Sequence, residues 1–152
     1  MKTLIVYYSE TGNTEKIAIA IAEVFGTIPV KIDNISVDQE YDLVIVGTPV
    51  HGLRPNKKIS EFLDNLPQGK IKFGAAFCTM HLLGGNKTCK AIGKKMKEKQ
   101  INYLDGLSCK CQSRLFGNFG PKIFNRGRPN EKDLEKARVF AEILKSEVED
   151  QL

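Results

Sequence analysis

Three short runs of this chain are apolar almost without a break: TLIVYY at 3–8, DLVIVGT at 42–48 and FGAAFCT at 73–79. A strand wetted on one face alternates apolar and polar residues, so an unbroken run must be covered on both faces. Between these runs the period changes. Ile17, Ile21, Val24 and Phe25 recur at helical spacing with Ala18 and Ala22 beside them, and Gly26 follows as a left-handed helix stop. Lys58 to Leu66 reads as a helix through Ile59, Phe62, Leu63 and Leu66. Thr88 to Lys99 reads as another through Cys89, Ile92 and Met96. Asn130 caps a last helix with Leu134, Ala137, Ala141, Leu144 and Val148 as its stripe. PVKID (29–33) and INYLDGLSCKC (101–111) supply two more strands. Strands alternating with amphipathic helices predict a doubly wound parallel sheet, helices on both faces.

The length of 152 residues, 41% of them hydrophobic, suits one domain over 1–152 with a sizeable core. No apolar run approaches the ~18 residues of a membrane span. The start, MKTLIVYYSE, is strand-like and unlike a signal peptide, so a cytoplasmic protein is expected. The cysteines at 78, 89, 109 and 111 match no common zinc or iron–sulfur spacing and are expected as reduced thiols. Residues 86–128 hold 11 basic and 2 acidic side chains, so the net charge of +5 is regional.

In an open parallel sheet, ligands bind beyond the carboxyl ends of the strands. Three polar, glycine-bearing segments leave such ends: SETGNT, TPVHGLRP and TMHLLGGN. The first surrounds Gly12 with Ser9, Thr11, Asn13 and Thr14, yet has neither Lys nor Arg between Tyr8 and Glu15. A helix N-terminus presents free N–H groups and the positive end of its dipole, so it can hold a phosphate without a cation. The plainer alternative is a strand–helix turn capped by Thr14. Other nucleotide motifs are excluded: one glycine cannot make G-x-G-x-x-G, and Asn86 interrupts the Gly-Lys of a P-loop in GGNKT. Asp33 alone is a weak ribose ligand. The acidic residues of a receiver domain are replaced by Tyr7 and Tyr8.

Tyr8 to Thr14, Val46-Gly47-Thr48-Pro49-Val50-His51-Gly52, Pro55 with Glu61-Phe62-Leu63, Gly127-Arg128-Pro129 and Asp133-Leu134 together resemble the flavodoxin family over about residues 3–148. The resemblance implies a three-layer fold with a five-stranded parallel sheet in the order 2-1-3-4-5. It also implies FMN at the switch point, a placement that is the standard example for this fold. Ser9, Glu10, Thr11, Gly12, Asn13 and Thr14 would hold the phosphate. Thr48, Pro49, Val50, His51, Gly52 and Leu53 would line the ribityl chain and one side of the ring. Thr79, Met80, His81, Leu82, Gly84 and Gly85 would line the other. His51-Gly52 matches the peptide that turns over on reduction in the family, a motion glycine makes cheap.

The chain departs from that family in two ways. It has no Trp, and its four Tyr lie outside the second and third loops, which leaves His51, Leu53, His81, Leu82 or Leu83 to pack on the ring. It is also basic, which favours an anionic reduced flavin and a less negative couple. Lys87, Lys90, Lys94 and Lys97 form one helical stripe, either a solvated face or a dock for an acidic redox partner. QSRLFGNFGPKIFNRGRP (112–129) shows no period and reads as a long loop, with Phe116, Phe119 and Phe124 pinning it to the core or else forming a lid, a partner surface or a quinone pocket. The expectation is an electron carrier between redox proteins, with no nucleic-acid role. An FMN-dependent oxidoreductase acting on a quinone, porphyrinogen or nicotinamide is the alternative.

Overall fold

A computed structural model describes residues 1–33, 35, 37–117 and 120–152; the side chains of 113–124 lie outside that description. In chain order the elements are β1 (Thr3–Tyr7), α1 (Asn13–Phe25), β2 (Val30–Lys31), β3 (Tyr41–His51), β4 (Arg54–Pro55), α2 (Lys57–Asp64), β5 (Ile71–Met80), α3 (Gly85–Glu98), β6 (Asn102–Lys110), β7 (Ser113–Gly117), β8 (Gly120–Phe124) and α4 (Glu131–Glu149).

The main sheet runs β2-β1-β3-β5-β6, with every pair parallel. This is the expected order 2-1-3-4-5 once the short β4 is counted. Side chains alternate across the strands and so divide the apolar runs between two cores. Ile5, Leu43, Ile45, Phe73 and Phe77 face α1 and α4, meeting Ile17, Ile21, Ala137, Ala141 and Leu144. Leu4, Val6, Val44, Val46 and Cys78 face α2 and α3, meeting Ile59, Leu63, Ile92 and Met96. The unbroken runs are thus the sign of a two-faced core, and β5 and the central β3 are its most deeply covered long strands.

Four local expectations change. The expected strand 29–33 pairs only at Val30 and Lys31, both exposed on the sheet edge. The loop expected after β3 contains a tight hairpin, with Val50 opposite Pro55 and His51 opposite Arg54. Helix α3 begins three residues earlier than its stripe suggests, because Gly84 turns the chain at φ 98 and opens the helix itself. The long loop 112–129 holds a five-pair antiparallel ribbon, from Ser113 opposite Phe124 to Gly117 opposite Gly120. Gly117, Gly120 and Pro121 interrupt the alternation that would reveal it in the sequence. Phe119 lies outside the described residues, as do the Phe116 and Phe124 side chains, so the expected pinning or lid role falls there too.

The Asn130 cap is present. Its Oδ1 accepts the Asp133 N–H at 3.3 Å, and Asp133 Oδ2 accepts the Asn130 N–H at 2.9 Å. This reciprocal capping box fixes the start of α4. No helix among the described residues is long and apolar enough to cross a membrane.

Candidate functional site

The first loop runs from the end of β1 into α1. Ser9 is buried, and its Oγ accepts the Gly12 N–H at 3.1 Å, which folds the loop back on itself. Gly12 sits at φ 83 and opens α1 with no side-chain cap. The first-turn N–H groups of a helix have no partner within it, so here they remain available. Thr14 is the second helical residue rather than the cap, and it is buried. Its Oγ1 lies 2.8 Å from Thr79 Oγ1 at the end of β5, which ties the first loop to the third. Asn13 Nδ2 donates to Thr11 Oγ1 at 3.1 Å and to the Gln112 carbonyl at 3.3 Å. Glu10 is exposed, and its Oε1 lies 3.8 Å from His51 Nε2, which links the first loop to the second.

The second loop is the β3–β4 hairpin. Gly52 at φ 54 and Leu53 at φ 67 are its central residues. Positive φ at both positions belongs to the tight mirror-image hairpin turn, and it is costly for a leucine. Thr48 is buried, with its hydroxyl donating to the Pro49 carbonyl and accepting the Asn56 N–H, each at 2.9 Å. It therefore anchors the hairpin base and faces inward, whereas His51 and Leu53 are exposed at the tip.

The third loop brings Gly84 against that tip. A Cβ at Gly84 would stand 2.6 Å from Leu53 Cδ2 and 3.1 Å from Val50 Cγ1. The φ of 98 favours glycine, and a Cβ here would also require the exposed Leu53 side chain to shift. Beside the contact lies a cleft of 420 Å³ lined by Leu53, Met80, Leu82, Leu83, Gly84 and Gly85, among others. Leu53, Leu82 and Leu83 are 46%, 59% and 77% exposed, an apolar rim that water alone does not favour. His81 turns elsewhere: its Nδ1 lies 3.5 Å from Cys111 Sγ, and it borders a separate cavity with Thr11 and Asn13. Three residues in that cavity, Lys16, Gln112 and Arg128, escaped the sequence reading of the site. The signal was present in the backbone, because Gln112 N–H donates to the Arg128 carbonyl at 2.9 Å and closes the hairpin segment at its base.

The cysteines pack. Cys78 Sγ lies 3.4 Å from Cys89 Sγ and donates to the Gly85 carbonyl at 3.2 Å. The Cys89 contact and burial push the Cys78 thiol far above the usual range, so it stays protonated. Burial pushes Cys109 up to about 12. No group of three or more metal-ligating side chains forms among the described residues. Asp33 is held by Lys58, at 2.7 Å.

A parallel sheet in the order β2-β1-β3-β5-β6 with helices on both faces, whose strand-end loops are tied together at Thr14–Thr79, Glu10–His51 and Gly84–Leu53, defines a doubly wound α/β protein. A family model described as "Flavodoxin domain" matches residues 4–115. The chain belongs to the flavodoxin family. It is 33% identical to an uncharacterised protein of Methanocaldococcus jannaschii, over 96% of this chain and all of that one. It is 29% identical to a flavodoxin of Clostridium saccharobutylicum, over 97% of this chain and 98% of the other. Among solved structures, a flavodoxin from the domain Archaea superposes with a TM-score of 0.73 at 21% identity, covering 98% of this chain and 99% of that one.

Proposed function

We propose that this chain binds FMN and carries electrons between redox proteins. The observation that supports the reading best is the start of α1. It opens on a left-handed glycine, uncapped, among the hydroxyls of Ser9, Thr11 and Thr14. These groups fit a phosphate monoester: several N–H donors, a dipole and small hydroxyl side chains, with Gly12 letting the anion approach closely.

Bound FMN would supply one- or two-electron chemistry, and the protein would position it and tune it. Thr14 and Thr79 hold the first and third loops in register. The hairpin tip, His51-Gly52-Leu53, stands where the resemblance places one side of the ring, and Met80, Leu82 and Gly84 where it places the other. The exposed leucines would exclude water from a bound apolar ring without an aromatic stack. The Lys87, Lys90, Lys94 and Lys97 stripe of α3 is exposed, and Lys87 also lines the leucine cleft. A cationic face leading to the cofactor suits an acidic redox partner, whose approach it would steer. Reversing Lys90, Lys94 and Lys97 to Glu should slow electron exchange with an acidic carrier at low salt and leave exchange with small dyes unchanged.

Adding FMN to the flavin-free protein and reducing it stepwise tests the reading. Tight uptake and two resolved one-electron steps support the carrier. Rapid turnover with NAD(P)H and a quinone supports instead the second reading, an FMN-dependent oxidoreductase acting on a quinone, porphyrinogen or nicotinamide. That reading rests on the β7–β8 segment, whose base borders the cavity beside the first loop. A protein that takes up no flavin would end both.

A further inference from the structure

The first loop carries no basic residue of its own, but the fold brings two to its side. A cavity of 510 Å³ is lined by Thr11 and Asn13 of that loop, Lys16 one turn into α1, His81, Gln112 and Arg128, among others. Among the described residues, no carboxylate lines it. Lys16 is exposed and has no acidic partner among the described residues. Arg128 is committed on one edge only. Its Nε donates to Asp133 Oδ2 at 2.9 Å and its Nη2 to Asp133 Oδ1. Nη1 meets no acceptor among the described residues and remains free to donate. Gln112 Oε1 already accepts the Gly127 N–H at 3.0 Å, which leaves its amide nitrogen as a donor.

The nearby carboxylates are occupied. Glu15 accepts the Tyr7 hydroxyl at 2.5 Å, and Glu10 accepts the Tyr8 hydroxyl at 3.1 Å. Asp133 is 1% exposed and lies behind the guanidinium it neutralises. The cavity therefore presents an uncompensated ammonium, a half-used guanidinium fork and the Gln112 amide nitrogen, whereas both Asn13 amide hydrogens are already committed; this is an anion's environment. Its volume falls in the range of small-molecule sites and exceeds the needs of a lone spherical ion.

We propose that this cavity is a phosphoryl-anion site in which Lys16 and Arg128 are the binding cations. The phosphoryl group has two sources, the flavin's own phosphate leaning out of the first loop or a separate phosphorylated small molecule. The first source rests on the FMN reading; the site itself does not.

The test uses Lys16→Gln, an exposed change that should fold normally, and Arg128→Lys, which keeps the charge but loses the fork. Inorganic pyrophosphate is titrated calorimetrically into flavin-free and FMN-loaded protein, and FMN and riboflavin affinities are measured alongside. Lys16→Gln should weaken pyrophosphate binding about fivefold, the scale of one partly exposed charge contact. If the flavin phosphate is the source, Lys16→Gln weakens FMN but not riboflavin, and pyrophosphate competes with FMN. If a second molecule is the source, pyrophosphate binds the FMN-loaded protein with the same loss, and FMN affinity stays. Wild-type protein that binds no pyrophosphate and holds FMN and riboflavin equally would overturn the proposal. So would two variants that bind pyrophosphate and FMN as wild type does. Failure to bind either flavin would end the FMN reading, while the pyrophosphate titration would still decide the cavity.

Discussion

Helices α1 and α3 begin differently from α2 and α4. The first pair open on left-handed glycines, Gly12 and Gly84, with no side-chain cap. The second pair are closed by asparagines: Asn56 Oδ1 accepts the Lys58 N–H at 2.9 Å, and Asn130 shares a capping box with Asp133. A capped start satisfies its own donors and contributes about 1 kcal/mol to stability. An open start forgoes that stabilisation and keeps donors free. The open pair are the starts that follow β1 and β5, where the phosphate and one side of the ring are proposed. The contrast is chemical: two helices are closed by side-chain caps, and two start without one, where the proposed ligand would supply the acceptor.

Mutation can break that contrast, and the largest effect is expected on the capped side. Asp133→Ala removes the acceptor of two Arg128 donors and of the Asn130 N–H together. It should cost about 3 kcal/mol by chemical denaturation; a loss below ~1 kcal/mol would mean the network does not hold α4. The two open starts should also differ from each other. Gly84→Ala meets both positive φ and the Leu53 side chain, and should cost about 2 kcal/mol. Gly12→Ala has nothing within 4 Å of the new Cβ and should cost about 1 kcal/mol from strain alone. Equal losses would dismiss the Leu53–Gly84 contact. Asn56→Ala should cost about 1 kcal/mol and leave the ratio of FMN to riboflavin affinity unchanged, whereas Thr14→Ala should lower that ratio.

The smallest effect is one of pH. Arg128 holds the Asp133 carboxyl below the usual carboxylate range, against the opposing effect of burial. Its folded value lies under the unfolded one, about 3.9, so the stabilisation is present above that value and fades as pH falls through the folded one. Acid titration of stability should be less steep in Asp133→Asn than in wild type.

The layered architecture was legible because it rests on period. TLIVYY and DLVIVGT can only be two-faced strands, and the Asn130 start carries its own capping pattern. The first loop was legible as a strand–helix junction because Gly12, among short polar side chains, marks the turn into α1. What the sequence concealed depends on approach through space. Gly84 stood out only as one of two glycines in TMHLLGGN, and the fold shows that its φ of 98 strains any other residue and that Leu53 would have to shift for a Cβ. Thr48 sits near the end of β3, and only the fold shows that its hydroxyl also donates to the Pro49 carbonyl and accepts the Asn56 N–H. Lys16 and Arg128 are 112 positions apart in the chain, and the ends of the 112–129 segment must meet before both can face Thr11 and Asn13.

The central claim is that the open start of α1 holds a flavin's phosphate, and the affinities of the flavin-free protein for FMN and riboflavin test it most directly. Fluorescence-quenching titrations should find FMN bound about 100-fold more tightly, the scale of two or so charge-assisted hydrogen bonds. Equal affinities would contradict the claim, because they would leave the donors at the start of α1 without a part in holding the ligand.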